Sequence, residues 1–158
     1  MTENILITGV SSGLGRGLAE AYLERQATVY GCSRRVPEDL VERGLRHCKI
    51  DLGKAAEGPA TFRDWIRGVP NWHQVYLNAG RLGEIRDMRD TPLEDLRQTM
   101  EINVWANKWL LDVLFEEASQ VTQVVGISSG ASLSGNRGWN GYSISKAAAD
   151  FYCQYAAR

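Results

Sequence analysis

The chain has 158 residues, 44% of them hydrophobic and 23% charged, which fits one globular domain and excludes disordered and fibrous classes. Eighteen basic against nineteen acidic residues leave a net charge of -1, so no bulk field directs the chain to nucleic acid or to an anionic membrane. Any phosphate site must therefore be local.

Short apolar runs alternate with helix-like segments, the pattern of βαβ units and of a parallel sheet covered on both faces. Residues 4–8 predict the first strand, and residues 13–25 a helix with Leu14, Leu18, Ala21 and Tyr22 at helical spacing. Residues 27–32 and 45–50 predict the next two strands. A shorter amphipathic helix over 60–67, with Phe62, Trp65 and Ile66, leads to a fourth strand at 74–78. Thr91-Pro92-Leu93-Glu94 offers an N-cap hydroxyl, a proline at the first helical position and a carboxylate returning to the cap. The helix it opens extends to about Ala118. Its Ile102, Trp105, Ala106, Trp109, Leu110, Val113 and Leu114 form an apolar face wider than one sheet contact requires, and the excess suits a second subunit. Residues 121–128 predict the fifth strand, 126–141 a glycine-rich loop, and 142–158 a last helix with Ala147, Phe151 and Tyr155 four residues apart. No glycine, asparagine or proline closes that helix, so the chain is expected to be cut within an element. Residues 1–158 thus predict a single α/β domain, a doubly wound parallel sheet of Rossmann type with about five strands.

Cys32, Cys48 and Cys153 are odd in number, far apart and set in apolar stretches, which suits reduced core packing. The N-terminal MTENILITG lacks the basic flank and apolar length of a secretory leader, and no stretch reaches the ~20 apolar residues of a membrane span. A cytoplasmic protein is expected, without membrane or nucleic-acid partners. His47 and His73 lie at no metal-site spacing and read as strand or surface residues, so no metal is expected.

TGVSSGLG (residues 8–15) follows the first strand and opens the first helix, where backbone amides and the helix dipole can hold a pyrophosphate. Gly9, Gly13 and Gly15 permit a sharp turn and close approach, Ser11 and Ser12 can donate hydroxyls, and Leu14 completes the loop. The spacing is G-x-x-x-G-x-G rather than G-x-G-x-x-G, and alone it also suits a structural tight turn. At the end of the second strand an acidic residue would bind a ribose 2′-OH. Ser33 stands there instead, followed by Arg34 and Arg35, which favours a 2′-phosphate and hence NADP(H) over NAD(H). Tyr142 and Lys146 lie one helical turn apart, and an ammonium there favours the ionised form of a phenol. Such a pair can move a proton.

Five segments together carry a resemblance: TGVSSGLG, Asp51-Leu52, Asn78-Ala79-Gly80, EINV containing Asn103, and YSISK following Ser129. In this order they resemble the short-chain dehydrogenase/reductase family over residues 5–158. The resemblance implies Tyr142 as general acid or base, Ser129 as holder of the substrate oxygen, and Lys146 on the nicotinamide ribose. It implies Asn103 in a proton relay through water, Asp51 and Leu52 beside adenine, and Asn78, Ala79 and Gly80 bordering the cofactor. A small carbonyl or alcohol substrate is expected; RGWNGYSISKAA is similar to stretches in sepiapterin, benzil and oxoacyl reductases. Asn136, Arg137, Trp139 and Asn140 could line its pocket or form an ordinary loop. A homodimer or homotetramer through helices 91–118 and 142–158 is expected as in many relatives.

Two features depart from the family. Leu77 stands where many members have a second asparagine, and the family's section beyond the Tyr-Lys helix, which closes the substrate pocket, is not in this chain. Residues 121–127 would then be an uncovered apolar edge unless something pairs with it. Either the chain is a fragment or another chain completes it, and a cofactor-binding module without turnover is the alternative expectation.

Overall fold

A computed structural model describes the backbone of residues 3–156 and the side chains of residues 3–152. Strand β1 (Asn4–Thr8) runs through its centre, with Ile5, Leu6 and Ile7 all buried. Alternate residues serve opposite faces. Leu6 joins a cluster with Trp72, Val75 and Leu110, while Ile5 and Ile7 join Val29, Ala19 and Tyr22. An uninterrupted apolar run is what a strand covered on both sides requires.

β1 pairs in parallel with β2 (Thr28–Ser33) on one side and β4 (Asn71–Leu77) on the other, and β3 (Arg46–Lys49) and β5 (Gln120–Gly126) are the outer strands. The order is β3-β2-β1-β4-β5, all parallel, as the alternating pattern predicts. Chain progression reverses between β1 and β4. The strand ends diverge there and leave a crevice. β4 starts three residues before its predicted position because Asn71 and His73 flank Trp72 and hide a fully buried indole from a simple apolar count.

The helices require more correction. α1 (Gly13–Glu24) buries Gly15, Ala19 and Tyr22, whereas Leu14 is 56% exposed and Ala21 is also outside, so its inward face is rotated from the predicted one. A five-residue helix α2 (Glu38–Glu42), anchored by Leu40, has no counterpart in the prediction; it is too short to show a period. α3 (Gly58–Ile66) buries Phe62 and Ile66 as expected. The predicted long helix is α4 (Leu93–Met100) and α5 (Ala106–Glu117), joined by a π-helical turn over Glu101–Trp105. Thr91 does not cap it. Its hydroxyl donates to the Asp87 carbonyl (2.9 Å) and accepts from Asn140 Nδ2 (2.9 Å), and α4 begins after Pro92 without a side-chain cap.

α6 (Asn140–Ala156) starts two residues before the predicted helix; the expected end at Arg158 and the side chains of Cys153 and Tyr155 lie outside the described residues. Cys32 and Cys48 are free and buried, opposite each other on β2 and β3. Among the described residues no helix is long and apolar enough to cross a membrane.

Phe62 stands where α3 meets α5, with its ring 6.2 Å from that of Trp109 and 5.9 Å from that of Trp65. Phe62→Ala is expected to cost about 3–5 kcal/mol through lost burial and the cavity left behind. Urea unfolding followed by tryptophan fluorescence measures it; a loss below about 1 kcal/mol would show that this layer is not the core.

Candidate functional site

A cleft of about 360 Å³ opens at the C-terminal ends of the strands, where β1 and β4 part. Gly9, Ser11 and Ser12 reach it from the turn after β1, and Ser33, Arg34 and Arg35 from the end of β2. Asp51 and Leu52 enter after β3, and Asn78, Ala79 and Gly80 after β4. Gly13 and Gly15 shape the turn from behind. Gly13 has φ +59°, and a Cβ there would project into open space, while one on Gly15 would fall 2.3 Å from the Gly9 carbonyl oxygen. The first position is conformational and the second steric. Leu14 points to solvent and is not part of the cleft wall.

The start of α1 has no side-chain cap on Ser12 and no acidic residue in its first turn. Its leading N–H groups therefore keep their partial positive charge for an anion in the cleft. On the opposite wall, Thr8 is fully buried and its Oγ1 accepts the N–H groups of Asn78 (3.0 Å) and Ala79 (2.9 Å) while donating to the Tyr76 carbonyl (3.3 Å). Asn78 Nδ2 returns bonds to the carbonyls of Thr8 (2.9 Å) and Gly9 (3.3 Å). The two central strand ends are thus fastened together.

At the far end, Ser33 is buried and Arg34 and Arg35 are exposed, and among the described residues neither arginine has a carboxylate partner in an ion pair. Ser33 Oγ lies 2.7 Å from the Arg35 carbonyl oxygen and 2.9 Å from His47 Nε2. Asp51 Oδ1 accepts the Gly53 N–H (3.1 Å), which turns the chain after β3, and Leu52 is buried in the core.

The remaining predicted residues gather around Gly80. A Cβ on Gly80 would lie 3.5 Å from Asn103 Oδ1 and 3.9 Å from Lys146 Nζ, so this glycine joins the long cleft to the second group. Lys146 is 7% exposed, and its ammonium donates to the Ile127 carbonyl (2.6 Å) and sits 5.7 Å from the Tyr142 ring centre. Lys146 and Asn103 border a separate cavity of about 290 Å³ that shares Ala79 with the cleft. Ser129 and Tyr142 line neither space. Ser129 Oγ accepts the Ala131 N–H (3.2 Å), capping a short 3₁₀ turn (Gly130–Ser132) that packs on α6.

Asn103 occupies the π-helical turn. Its Oδ1 accepts the Arg81 N–H (2.7 Å), and its two amide protons go to the Arg81 carbonyl (2.9 Å) and Ser145 Oγ (2.8 Å). Ser145 in turn donates to the Tyr142 carbonyl (2.8 Å). Ser145 is buried and links the π turn to α6; sequence reasoning missed it, although it is the second serine of YSISK. Arg137 and Asn140, open in the sequence between pocket and loop, bind across to the segment after β4. Arg137 pairs with both oxygens of Asp87 (2.6 Å each), which holds that carboxyl below its ordinary range, and Asn140 Nδ2 donates to the Arg86 carbonyl (2.9 Å). Trp139 stacks edge-on against Tyr142, with centroids 5.7 Å apart. Among the described residues no group of three or more His, Cys, Asp or Glu is placed to hold a metal.

A glycine turn at the switch point of a five-stranded parallel sheet, with a Tyr-x-x-x-Lys helix beside it, defines a doubly wound fold of the Rossmann type. The family model for short chain dehydrogenases matches residues 3–158, and the chain belongs to the short-chain dehydrogenase/reductase family. It is 29% identical over 157 residues to a benzil reductase ((S)-benzoin forming) of Bacillus subtilis (strain 168), covering 95% of this chain and 64% of that protein. The corresponding enzyme of Bacillus cereus is 27% identical, with 97% and 67% covered. The chain therefore spans about two thirds of the length of these curated relatives. A short-chain dehydrogenase of Shigella flexneri 2a str. 301 complexed with NADP superposes with a TM-score of 0.88 at 28% identity, covering 98% of this chain and 70% of that one.

Thr8→Val keeps the shape of the side chain but removes the acceptor shared by two amides. It is expected to lower stability by at least about 2 kcal/mol, while Thr8→Ser stays within about 1 kcal/mol of the parent. Chemical denaturation of the three proteins tests this; equal stability of the valine and serine variants would exclude the hydroxyl as the fastening group.

Proposed function

We propose that the chain binds NADP(H) along the cleft and belongs to an oxidoreductase acting on a small carbonyl or alcohol, with Tyr142 as its general acid or base. The observation that carries this reading is the placement of Lys146: buried, one turn from Tyr142, and beside Gly80 at the inner end of the cleft. The residues present fit the cofactor. The open side of Gly13 and the uncapped start of α1 suit a pyrophosphate, and Ser33, Arg34 and Arg35, with no carboxylate among them, suit a 2′-phosphate.

The nicotinamide, when bound, supplies or accepts a hydride at the substrate carbon. Tyr142 gives a proton to the carbonyl oxygen in the reducing direction and takes it back from the hydroxyl in the other. Lys146 holds its positive charge beside that phenol and is oriented by the Ile127 carbonyl. Ser129 hydrogen-bonds the same substrate oxygen. Asn103 holds the Arg81 segment through both side-chain atoms and its main-chain carbonyl accepts from Asn107 Nδ2 (2.9 Å); membership of the family supports it in a proton relay through water. Asp51 and Leu52 flank the adenine, and Asn78, Ala79 and Gly80 border the rest of the cofactor.

The similarity to benzil reductases supports an aryl ketone or diketone among the substrates to be tried. Trp105, 51% exposed, with exposed Phe115 and Phe151, supports association of copies through α4–α5 and α6, which light scattering tests. The buried free thiols of Cys32 and Cys48 support a reducing, cytoplasmic setting.

Titration with NADPH and NADH, followed by cofactor oxidation with ketones, aldehydes and diketones, tests the whole reading. Binding without turnover on any carbonyl would return the chain to a nucleotide-binding module. Tyr142→Phe is expected to lower turnover about 10²–10⁴-fold with cofactor binding intact; an active phenylalanine variant would remove Tyr142 from the chemistry. Arg34→Asp is expected to weaken NADPH binding about ten- to a hundredfold and NADH far less. Equal losses in the two titrations would exclude the 2′-phosphate contact.

A further inference from the structure

His47 projects from β3 toward the end of β2. Its register partner is Gly31, which has no side chain, and the imidazole reaches along β2 to Ser33, two residues on. Ser33 Oγ has one proton and two neighbours, the Arg35 carbonyl oxygen at 2.7 Å and His47 Nε2 at 2.9 Å. A carbonyl can only accept, so the hydroxyl donates to Arg35. The bond to His47 must then be carried by an N–H on Nε2. Burial lowers the pKa of His47 below its ordinary value, against the opposing pull of Glu38, so at neutral pH the ring carries one proton, and this network places it on Nε2.

We propose that His47 is a positioning residue for the 2′-phosphate of NADP(H): its Nε2–H donates to Ser33 Oγ and so holds that hydroxyl's one proton on the Arg35 carbonyl, which fixes the backbone carrying Arg34 and Arg35. This rests on the NADP(H) reading above. Because that proton is committed to Arg35, the 2′-phosphate is left to the guanidinium groups of Arg34 and Arg35, whose aim depends on the backbone Ser33 holds. The same hydroxyl fixes the carbonyl of Arg35 and with it the backbone that carries both exposed guanidinium groups. His47 touches neither cofactor nor substrate in this arrangement. It acts through Ser33.

The test compares dissociation constants for NADPH, NADH, 2′,5′-ADP and AMP across the parent chain, His47→Leu, His47→Gln, His47→Asn and a Ser33→Ala pair with and without His47→Leu. The nucleotide fragments read binding without turnover. His47→Leu and His47→Asn, the latter too short to reach Ser33, are expected to weaken NADPH and 2′,5′-ADP about three- to tenfold and to leave NADH and AMP within about twofold. His47→Gln, whose amide can donate from nearly the same place, is expected to keep the parent's ratio. In the Ser33→Ala background, His47→Leu should add no further loss. Retention of the full NADPH preference by both the leucine and asparagine variants, or equal weakening of all four ligands, overturns the role of His47 alone. A parent chain that binds NADPH no better than NADH overturns the NADP(H) reading and this inference with it.

Discussion

The structure depends on a fully buried hydroxyl at the point where the sheet changes direction. Thr8 closes β1, and its Oγ1 satisfies two amides at the end of β4 while donating to a third main-chain group. Strands at a switch point diverge, and their last polar groups face a cleft rather than a ladder. A side chain that both accepts and donates can satisfy those groups without closing the cleft. Asn78 reinforces the join from the other side, with Gly15 packed so tightly behind it that no side chain fits. The glycine turn is therefore packed into the core and is not a loop laid over it.

The side that carries Tyr142 and Lys146 is organised by a different device. Five residues of π-helical turn interrupt the long helix at Asn103, and both amide protons of that side chain leave the helix, one to Arg81 and one to Ser145. Ser145 carries the connection to the Tyr142 carbonyl. The segment after β4, the π turn and the start of α6 are consequently one polar unit, with Gly80 at its meeting with the cleft. Such turns are rare and occur frequently at functional sites. Arg137, Asn140 and Trp139 add a second set of bonds and contacts around the same helix start.

Much of this was legible in the sequence. β1 runs over the residues the apolar run predicts, the parallel order follows from the alternation, and the segments carrying the family resemblance agree with the family to which the chain belongs. What failed has a common cause. Leu14 is apolar and correctly spaced yet faces solvent, because the close contact between Gly15 and Gly9 sets the rotation of α1. Thr91 has the chemistry of a cap but binds Asn140, which is 49 residues away. The π turn has no compositional mark at all.

Local chemistry by itself determined the order of the strands along the chain, the glycine turn, the serine in place of an acid at the end of β2 and the spacing of Tyr142 and Lys146, since each depends on residues within a few positions of one another. Only the tertiary structure decided which polar side chains act together. Ser145 meets Asn103 across 42 residues, and His47 meets Ser33 across 14. Neither pairing has a periodicity, because a hydrogen bond is set by distance and direction in space, and those are set by the packing of the whole sheet and its helices.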